Sequence, residues 1–349
     1  MHQVVIWVRR NRLIVGSGLL ALSVLFSYEL AFGFSQNSPA GSPRAPEWRP
    51  VGLQGTLVHF LAPGHRAAAP AFAAAHGGIY RRDSNGQWVR VLASGDVWAV
   101  ALSSDDRTVI AGDNDGTVHI SHDAGNHWRS VLVAPQGVYS VAMVPGHPRS
   151  ILAGAGGGIY LSRDEGLHWQ RRHTLPHSAG AAFAWQPGSR RVVVAGAVAG
   201  DVGGSVDVLI SRDAGMTWHV FGRNLQSYGG IMSLLAASNA QLYAGTMGNA
   251  TWKASLQTRS WSKVGDGMPA SNDHVAGIAG VPGRPQTLYV GTLSFGVFRT
   301  VDGGRHWTAI SDGLSEASSA KIVLSIVYVP THHALLAGTA DGVYELGPI

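Results

Sequence analysis

Four carboxylates stand just outside apolar runs of this chain: Asp96, Asp201, Asp207 and Asp273. Tyr139, His177, Tyr228, His274 and Lys321 border comparable runs. These residue types serve two kinds of chemistry. Two carboxyl groups about 5–10 Å apart act as acid and base, or acid and nucleophile, on a glycosidic bond. The same side chains without a convergent pair supply charge and hydrogen bonds for holding a partner. Asp96 with Asp273 or Asp201 is the pair to test. Whether they meet depends on the elements that carry them, and those are set by repetition.

One octapeptide recurs: SHDAGNHW (Ser121 to Trp128), SRDEGLHW (Ser162 to Trp169), SRDAGMTW (Ser211 to Trp218) and TVDGGRHW (Thr300 to Trp307). Its Asp123, Asp164, Asp213 and Asp302 fit an Asx-type turn, accepting hydrogen bonds from nearby N–H groups. Gly125, Gly166, Gly215 and Gly304 fit a position needing positive φ, and the tryptophans fit wedges between packed layers. His127, His168 and His306 share one place in the motif and read as surface turn residues. Four copies imply one shared geometry, so these residues are read as structural rather than catalytic.

Trp88, Trp128, Trp169, Trp218, Trp261 and Trp307 recur at intervals of 40 to 49 residues, the length of one four-stranded propeller blade. Each unit shows an apolar run, a second run ending in a dipeptide such as Ala-Gly or Val-Gly, a turn, a third run, the octapeptide, and a last strand starting near the Trp. Two units are degenerate, RRDSNGQW (Arg81 to Trp88) and KASLQTRSW (Lys253 to Trp261). The last unit ends at Ile349 without a Trp strand, whereas Glu47 to Val51 reads as such a strand without its predecessors. The expectation is an all-β, seven-bladed propeller over 47–349. An N-terminal strand completes its last blade and removes free sheet edges.

Residues 1–34 read as a signal anchor or signal peptide: Arg9, Arg10 and Arg12 precede an apolar run from Leu13 to Tyr28. A hydrophobic helix is expected there, followed by a Ser/Pro/Gly-rich linker over 35–46. The propeller is then expected on the extracytoplasmic side of a bacterial plasma membrane, or secreted if the segment is cleaved. The chain has no cysteine, which excludes disulfides, Cys-based metal sites and thiol catalysis. Net charge is +5 with no basic block in the repeats, so no nucleic-acid partner is expected. The sixteen histidines are scattered and no H-E-x-x-H occurs, so neither a metal nor a cofactor is expected. The glycine run from Ala153 to Tyr160 falls on a repeat turn, not between a strand and a helix, and so fails as a dinucleotide motif.

The octapeptides resemble the Asp-box, or BNR, repeat of sialidases, sortilin-type receptors, xyloglucanase-type glycosidases and photosystem II assembly factors. The resemblance spans Trp48 to Ile349. It implies a propeller whose boxes lie on the face away from the site. A sialidase needs three converging arginines, a Tyr nucleophile backed by Glu, and an acid Asp. Here no innermost run contains an arginine, and of Glu47, Glu165, Glu316 and Glu345 only Glu316 is placed to back a tyrosine. In the xyloglucanase-type family the cleft lies between two propellers, and this chain has one. The assembly factors imply an arginine-rich patch, to which Arg171, Arg172, Arg190 and Arg191 are the candidates. The resemblance is thus nearer to the assembly-factor and sortilin-type propellers than to true sialidases. The expected function is a non-catalytic scaffold for a protein or glycan partner, anchored through its N-terminal segment. The alternative is a glycosidase using carboxylates of the face that carries Asp96.

Overall fold

The computed structural model describes residues 46–349 apart from 67–68, 176–177, 200–207, 223, 228, 249–250, 269–273 and 315–318. Strand β1 (Arg49–Gly52) comes first. Then follow β2 (Val58–Ala62), β3 (Phe72–Arg82), β4 (Trp88–Leu102), β5 (Val109–Asp113), β6 (Thr117–Ser121) and β7 (Arg129–Leu132). The next sheet has β8 (Val138–Met143), β9 (Ile151–Ala155), β10 (Gly158–Ser162) and β11 (Gln170–Thr174). After it come β12 (Ser178–Trp185), β13 (Val193–Ala199), β14 (Val208–Ser211) and β15 (His219–Val220). Then come β16 (Ile231–Ala236), β17 (Gln241–Thr246), β18 (Thr251–Ser255) and β19 (Trp261–Val264). The last strands are β20 (Val275–Val281), β21 (Arg284–Thr292), β22 (Val297–Thr300) and β23 (Thr308–Ala309), then β24 (Val323–Val329), β25 (Ala334–Thr339) and β26 (Gly342–Leu346).

The expectation of seven separate four-stranded sheets is corrected. Counted by continuous hydrogen bonding the propeller is six-bladed: five sheets have four strands, and β2 to β7 form one sheet of six. The reason is β4. It runs unbroken for 15 residues, pairing with β3 through Asp96 and with β5 from Val97 onward. Two sequence repeats are thereby joined in one sheet. Among the described residues the only helical element is a 3-10 turn at Ser319–Lys321, and no helix is long and apolar enough to cross a membrane. The hydrophobic helix expected over 1–34 lies outside the described residues.

The N-terminal strand β1 lies antiparallel to β26 and completes the sheet of β24, β25 and β26. Trp48, just before it, is 2 % exposed and donates its indole N–H to the Ile310 carbonyl at 2.6 Å. The core is not one centre but a series of apolar layers between neighbouring sheets. One layer joins Ile110, Val118 and Ile120 to Val138 and Ile151. Another joins Val58, Leu61 and Ala73 at the start of the chain to Val329, Leu336 and Val343 near its end.

The second strands explain the recurring small-residue dipeptides. β5 and β9 are buried at every position; Val109 and Ala111 of β5 share an apolar layer with Phe72 and Ala74 of β3 in the same sheet, and Ile110 shares the next layer with Val138 of β8. A Cβ on Gly112 would run into Val138, one on Gly196 into Ile231, one on Gly291 into Val323, and one on Gly338 into Val58. Each glycine admits the first residue of a neighbouring innermost strand, and the last such contact returns to the first strand of the ring.

The octapeptides form one repeated hydrogen-bonded turn. Ser162 Oγ donates to Asp164 Oδ1 at 2.9 Å and accepts the Gly166 N–H at 2.8 Å. Asp164 Oδ1 also accepts the His168 N–H at 2.9 Å, and the Trp169 indole donates to the Gly166 carbonyl at 3.1 Å. The same bonds recur at Ser121, Ser211 and Thr300. Gly125, Gly166, Gly215 and Gly304 have φ between 79° and 90°. The tryptophans pack into apolar layers shared with adjacent repeats: Trp128 lies against Phe72 and Ile79, and Trp218 against Leu152 and Ile159.

In Asp123, Asp164 and Asp302, the backbone N–H of the residue four on, and then its histidine side chain, hold the carboxyl below its ordinary value of 3.8. A depressed folded pKa contributes stability that is present above about pH 4 and is lost as pH falls through the folded value. Urea midpoints measured between pH 2.5 and 6 are therefore expected to fall on the acid side. The slope is expected to flatten when the three aspartates are changed to asparagine; an unchanged slope removes the boxes as its source.

Candidate functional site

The innermost strands share a second irregularity. β2, β4, β8, β12, β16, β20 and β24 each shift register one residue after their first buried position, as between Val58 and Phe60, Val97 and Ala99, and Val138 and Ser140. A bulge leaves one residue outside the ladder and re-aims its side chain. His59, Trp98 and Tyr139 occupy that position on three successive innermost strands, with Met232, Ala276 and Leu324 at the corresponding places further on. Their strand neighbours Val58, Val97 and Val138 are fully buried, whereas the bulged residues are only half-buried.

Three of these rings form an arc at the centre of the propeller. Trp98 and Tyr139 lie 4.4 Å apart between centroids at 34°, and His59 meets Trp98 edge-on at 6.4 Å. Gly137 leaves room for the Trp98 ring, since a Cβ there would strike it. Asp96, two residues before Trp98, accepts a 2.6 Å hydrogen bond from His76 Nδ1 and faces His59 Nε2 at 3.8 Å. The second of these is an ion-pair distance rather than a hydrogen bond, consistent with His59 Nε2 being buried without a hydrogen-bond partner. The His59 imidazole is the largest influence pulling the Asp96 carboxyl down, to about 2; partial burial opposes it and His76 reinforces it. Asp96 is therefore an anion at any physiological pH. The ionised form accepts hydrogen bonds and attracts a cation, and the downward displacement is the opposite of the one a general acid needs.

Asp113, in the same sheet, is a structural group. It is buried, bonds His119 Nε2 at 2.9 Å and accepts the N–H groups of Asp115 and Thr117. Of the residues expected at the site, Tyr139 belongs to the arc through Trp98, and Asp96 borders it through His59. His274 stands just before β20, its carbonyl accepting the Leu293 N–H, and Lys321 ends the 3-10 turn, its carbonyl accepting the Gly296 N–H. Asp201, Asp207, Asp273, His177 and Tyr228 lie outside the described residues, and with them both carboxylate pairs. Arg171 and Arg172 stand on β11, while Arg190 and Arg191 precede β13.

Sequence reasoning missed His59, His76 and Trp98. His59 and Trp98 were detectable, because each is the second residue of an innermost run, as Tyr139 is. His76 was not, because its pairing with Asp96 depends on the unbroken course of β4.

A ring of antiparallel sheets, each starting from an innermost strand and packed on its neighbours, defines a β-propeller. Neither a protein-family model nor a curated protein sequence matches this chain. Solved structures do. A GH74 xyloglucanase from Xanthomonas campestris aligns with a TM-score of 0.69 at 18% identity, over 86% of this chain and 53% of the other. The GH74 enzyme of Niastella koreensis gives 0.66 at 18% identity, over 85% and 53%. The β-propeller domain of Myceliophteria thermophila Cps50 (Swd1) gives 0.66 at 14% identity, over 86% and 99%. The chain thus spans about half the length of the two GH74 enzymes. These likenesses establish the fold.

Proposed function

We propose that the protein is a non-catalytic binding scaffold that holds a protein partner at the centre of the propeller. The observation that carries this reading is the arc of His59, Trp98 and Tyr139 beside the ionised Asp96. Half-buried aromatic rings offer large rigid contact area, and a fixed carboxylate selects a basic or hydrogen-bonding group against them. Among the described residues, every carboxylate with a resolved shift lies below its ordinary value, as at Asp96, Asp106, Asp113 and Asp213. A glycosidase acid needs the opposite displacement. The repeat turns support kinship with Asp-box propellers of the receptor and assembly-factor kind, and the Arg-flanked apolar segment over 1–34 supports an extracytoplasmic, anchored location. A glycan-processing role is the second reading, favoured by Trp98 as a stacking surface and by the fold likeness to GH74 enzymes.

The test compares full-length wild type, Trp98→Ala and Asp96→Asn in cross-linking and pull-down from membranes of the source cell, alongside incubation with xyloglucan oligosaccharides. A specific protein partner is expected, with capture weakened at least tenfold by Trp98→Ala, about the 1.4 kcal/mol that one truncated anchor residue commonly costs. No oligosaccharide cleavage is expected. Cleavage by the wild type that Asp96→Asn abolishes would replace the scaffold with the enzyme.

A further inference from the structure

Both contacts of the Asp96 carboxylate fall on one of its oxygens. His76 Nδ1 stands 2.6 Å from Oδ1, and His59 Nε2 stands 3.8 Å from the same atom. Oδ2 accepts a hydrogen bond from no described residue, so half of an ionised carboxylate is uncommitted. The side chains of Asp96 and His76 are 27 % and 72 % exposed, which leaves the cluster reachable from solvent; that of His59 is 13 % exposed.

Histidine is the side chain whose charge changes between about pH 5 and 8, and here two histidines share one anion. His59 Nε2 is buried without a hydrogen-bond partner, an arrangement that costs free energy. Protonated, that nitrogen becomes a donor beside Oδ1. With both imidazoles neutral, the charge of the carboxylate is left unbalanced. The elements around His59 bring few other ionisable groups. β4 supplies Asp96, β3 supplies His76, and β8 supplies Tyr139 to the arc. β24 and β25, also packed against β2, hold no ionisable side chain but Tyr328, and Lys321 precedes β24. An outside cation and a histidine proton therefore compete for one carboxylate. The rings favour a cation with a flat or apolar face. Trp98 and Tyr139, 4.4 Å apart, offer a guanidinium or the stem of a lysine an aromatic surface near the charge.

We infer that the central arc is a proton-coupled site for a cationic side chain, an arginine or lysine of the partner, which takes Asp96 Oδ2 while His59 and His76 give up their protons to solvent. This deepens the scaffold reading and rests on the arc being its binding site. At acid pH the histidinium ions balance Asp96 and disfavour a further cation. As pH rises the protons leave and affinity grows, levelling off once both imidazoles are neutral.

The test follows the Trp98 indole resonance of the full-length protein in ¹⁵N–¹H spectra, assigned by its loss in Trp98→Phe. Nα-acetyl-arginine amide, Nα-acetyl-lysine amide and, as the neutral control, Nα-acetyl-glutamine amide are titrated at pH 5.5 and pH 8. A saturable shift is expected with at least one cationic amide and none with the glutamine amide; the tighter cation names the side chain. Binding is expected to be about tenfold tighter at pH 8, an ordinary magnitude for coupling between two sites. Asp96→Asn is expected to abolish the shift, and the double variant His59→Gln/His76→Gln to bind with one affinity at both pH values. No saturable shift with either cation at tens of millimolar, equal affinity of the wild type at the two pH values, or binding that survives Asp96→Asn overturns the inference. Binding of a cationic amide when membranes yield no protein partner upholds this site and removes the scaffold. A captured partner held equally at both pH values does the reverse.

Discussion

Trp48→Ala is expected to lower the unfolding free energy by about 3–5 kcal/mol, the usual cost of deleting a buried tryptophan. Trp48 is buried in the apolar layer containing Leu335, Tyr344 and Leu346, and its indole N–H is satisfied by Ile310. Its own N–H donates to the Asp312 carbonyl at 2.8 Å. The residue therefore ties the N-terminal strand to the turn after β23 as well as to its own sheet. Losing it weakens the seam where the beginning and end of the domain meet, and an open sheet edge invites association with other chains. Urea unfolding with an unchanged m-value and a lowered midpoint is the expected record. Arg49→Ala, at an exposed position of the same strand, is expected to change stability by less than about 0.5 kcal/mol. A loss below about 1 kcal/mol for Trp48→Ala would show that the ring is closed by β24 to β26 without help from β1.

The seam was legible in the sequence because a Trp-initiated strand without its predecessors stood at one end and a repeat without its last strand at the other. The box turns were legible too, since four copies of one octapeptide leave little freedom: each Asp accepts from the residue four on, and each Trp returns to the glycine. The number of sheets was not. The stretch from Ala93 to Asp96 contains Ser and Gly and reads as a loop between repeats. Yet Gly78 pairs with Ala93 and His76 with Asp96, so the ladder passes from one repeat into the next. Pairing of that kind is a property of two strands and leaves no mark in the composition of either. Two residues of the central cluster were named from the sequence. Tyr139 and Asp96 stood out as polar residues at the edges of apolar runs. Trp98 and His59 hold the same second position in their runs as Tyr139, but an aromatic residue there reads as core until a register shift turns it out of the ladder.

Gly154→Val separates packing from intrinsic strand preference, because the two predict opposite signs. Valine is favoured over glycine in strands by up to about 1 kcal/mol, so propensity alone predicts stabilisation. The surroundings of Gly154 predict the reverse. A Cβ there would stand 2.7 Å from the Ala181 nitrogen and 2.6 Å from the Ser140 hydroxyl, and it would collide with the Ala181 carbonyl, which accepts the Ser140 hydroxyl. The obstacle is the backbone of β12, paired along its length with β13, so it cannot swing aside as a side chain does. Overpacking of this kind costs about 1–3 kcal/mol and more when backbone must move; a loss of about 3 kcal/mol is expected. Gly95→Ala is the matched control, with only Asn114 Oδ1 near, at 3.7 Å, and a change within about 0.5 kcal/mol. Thermal or urea unfolding of the two variants decides the matter. A stabilised Gly154→Val would mean that the sheets are not seated on one another through these glycines. The recurring small residue before each turn would then need a different cause.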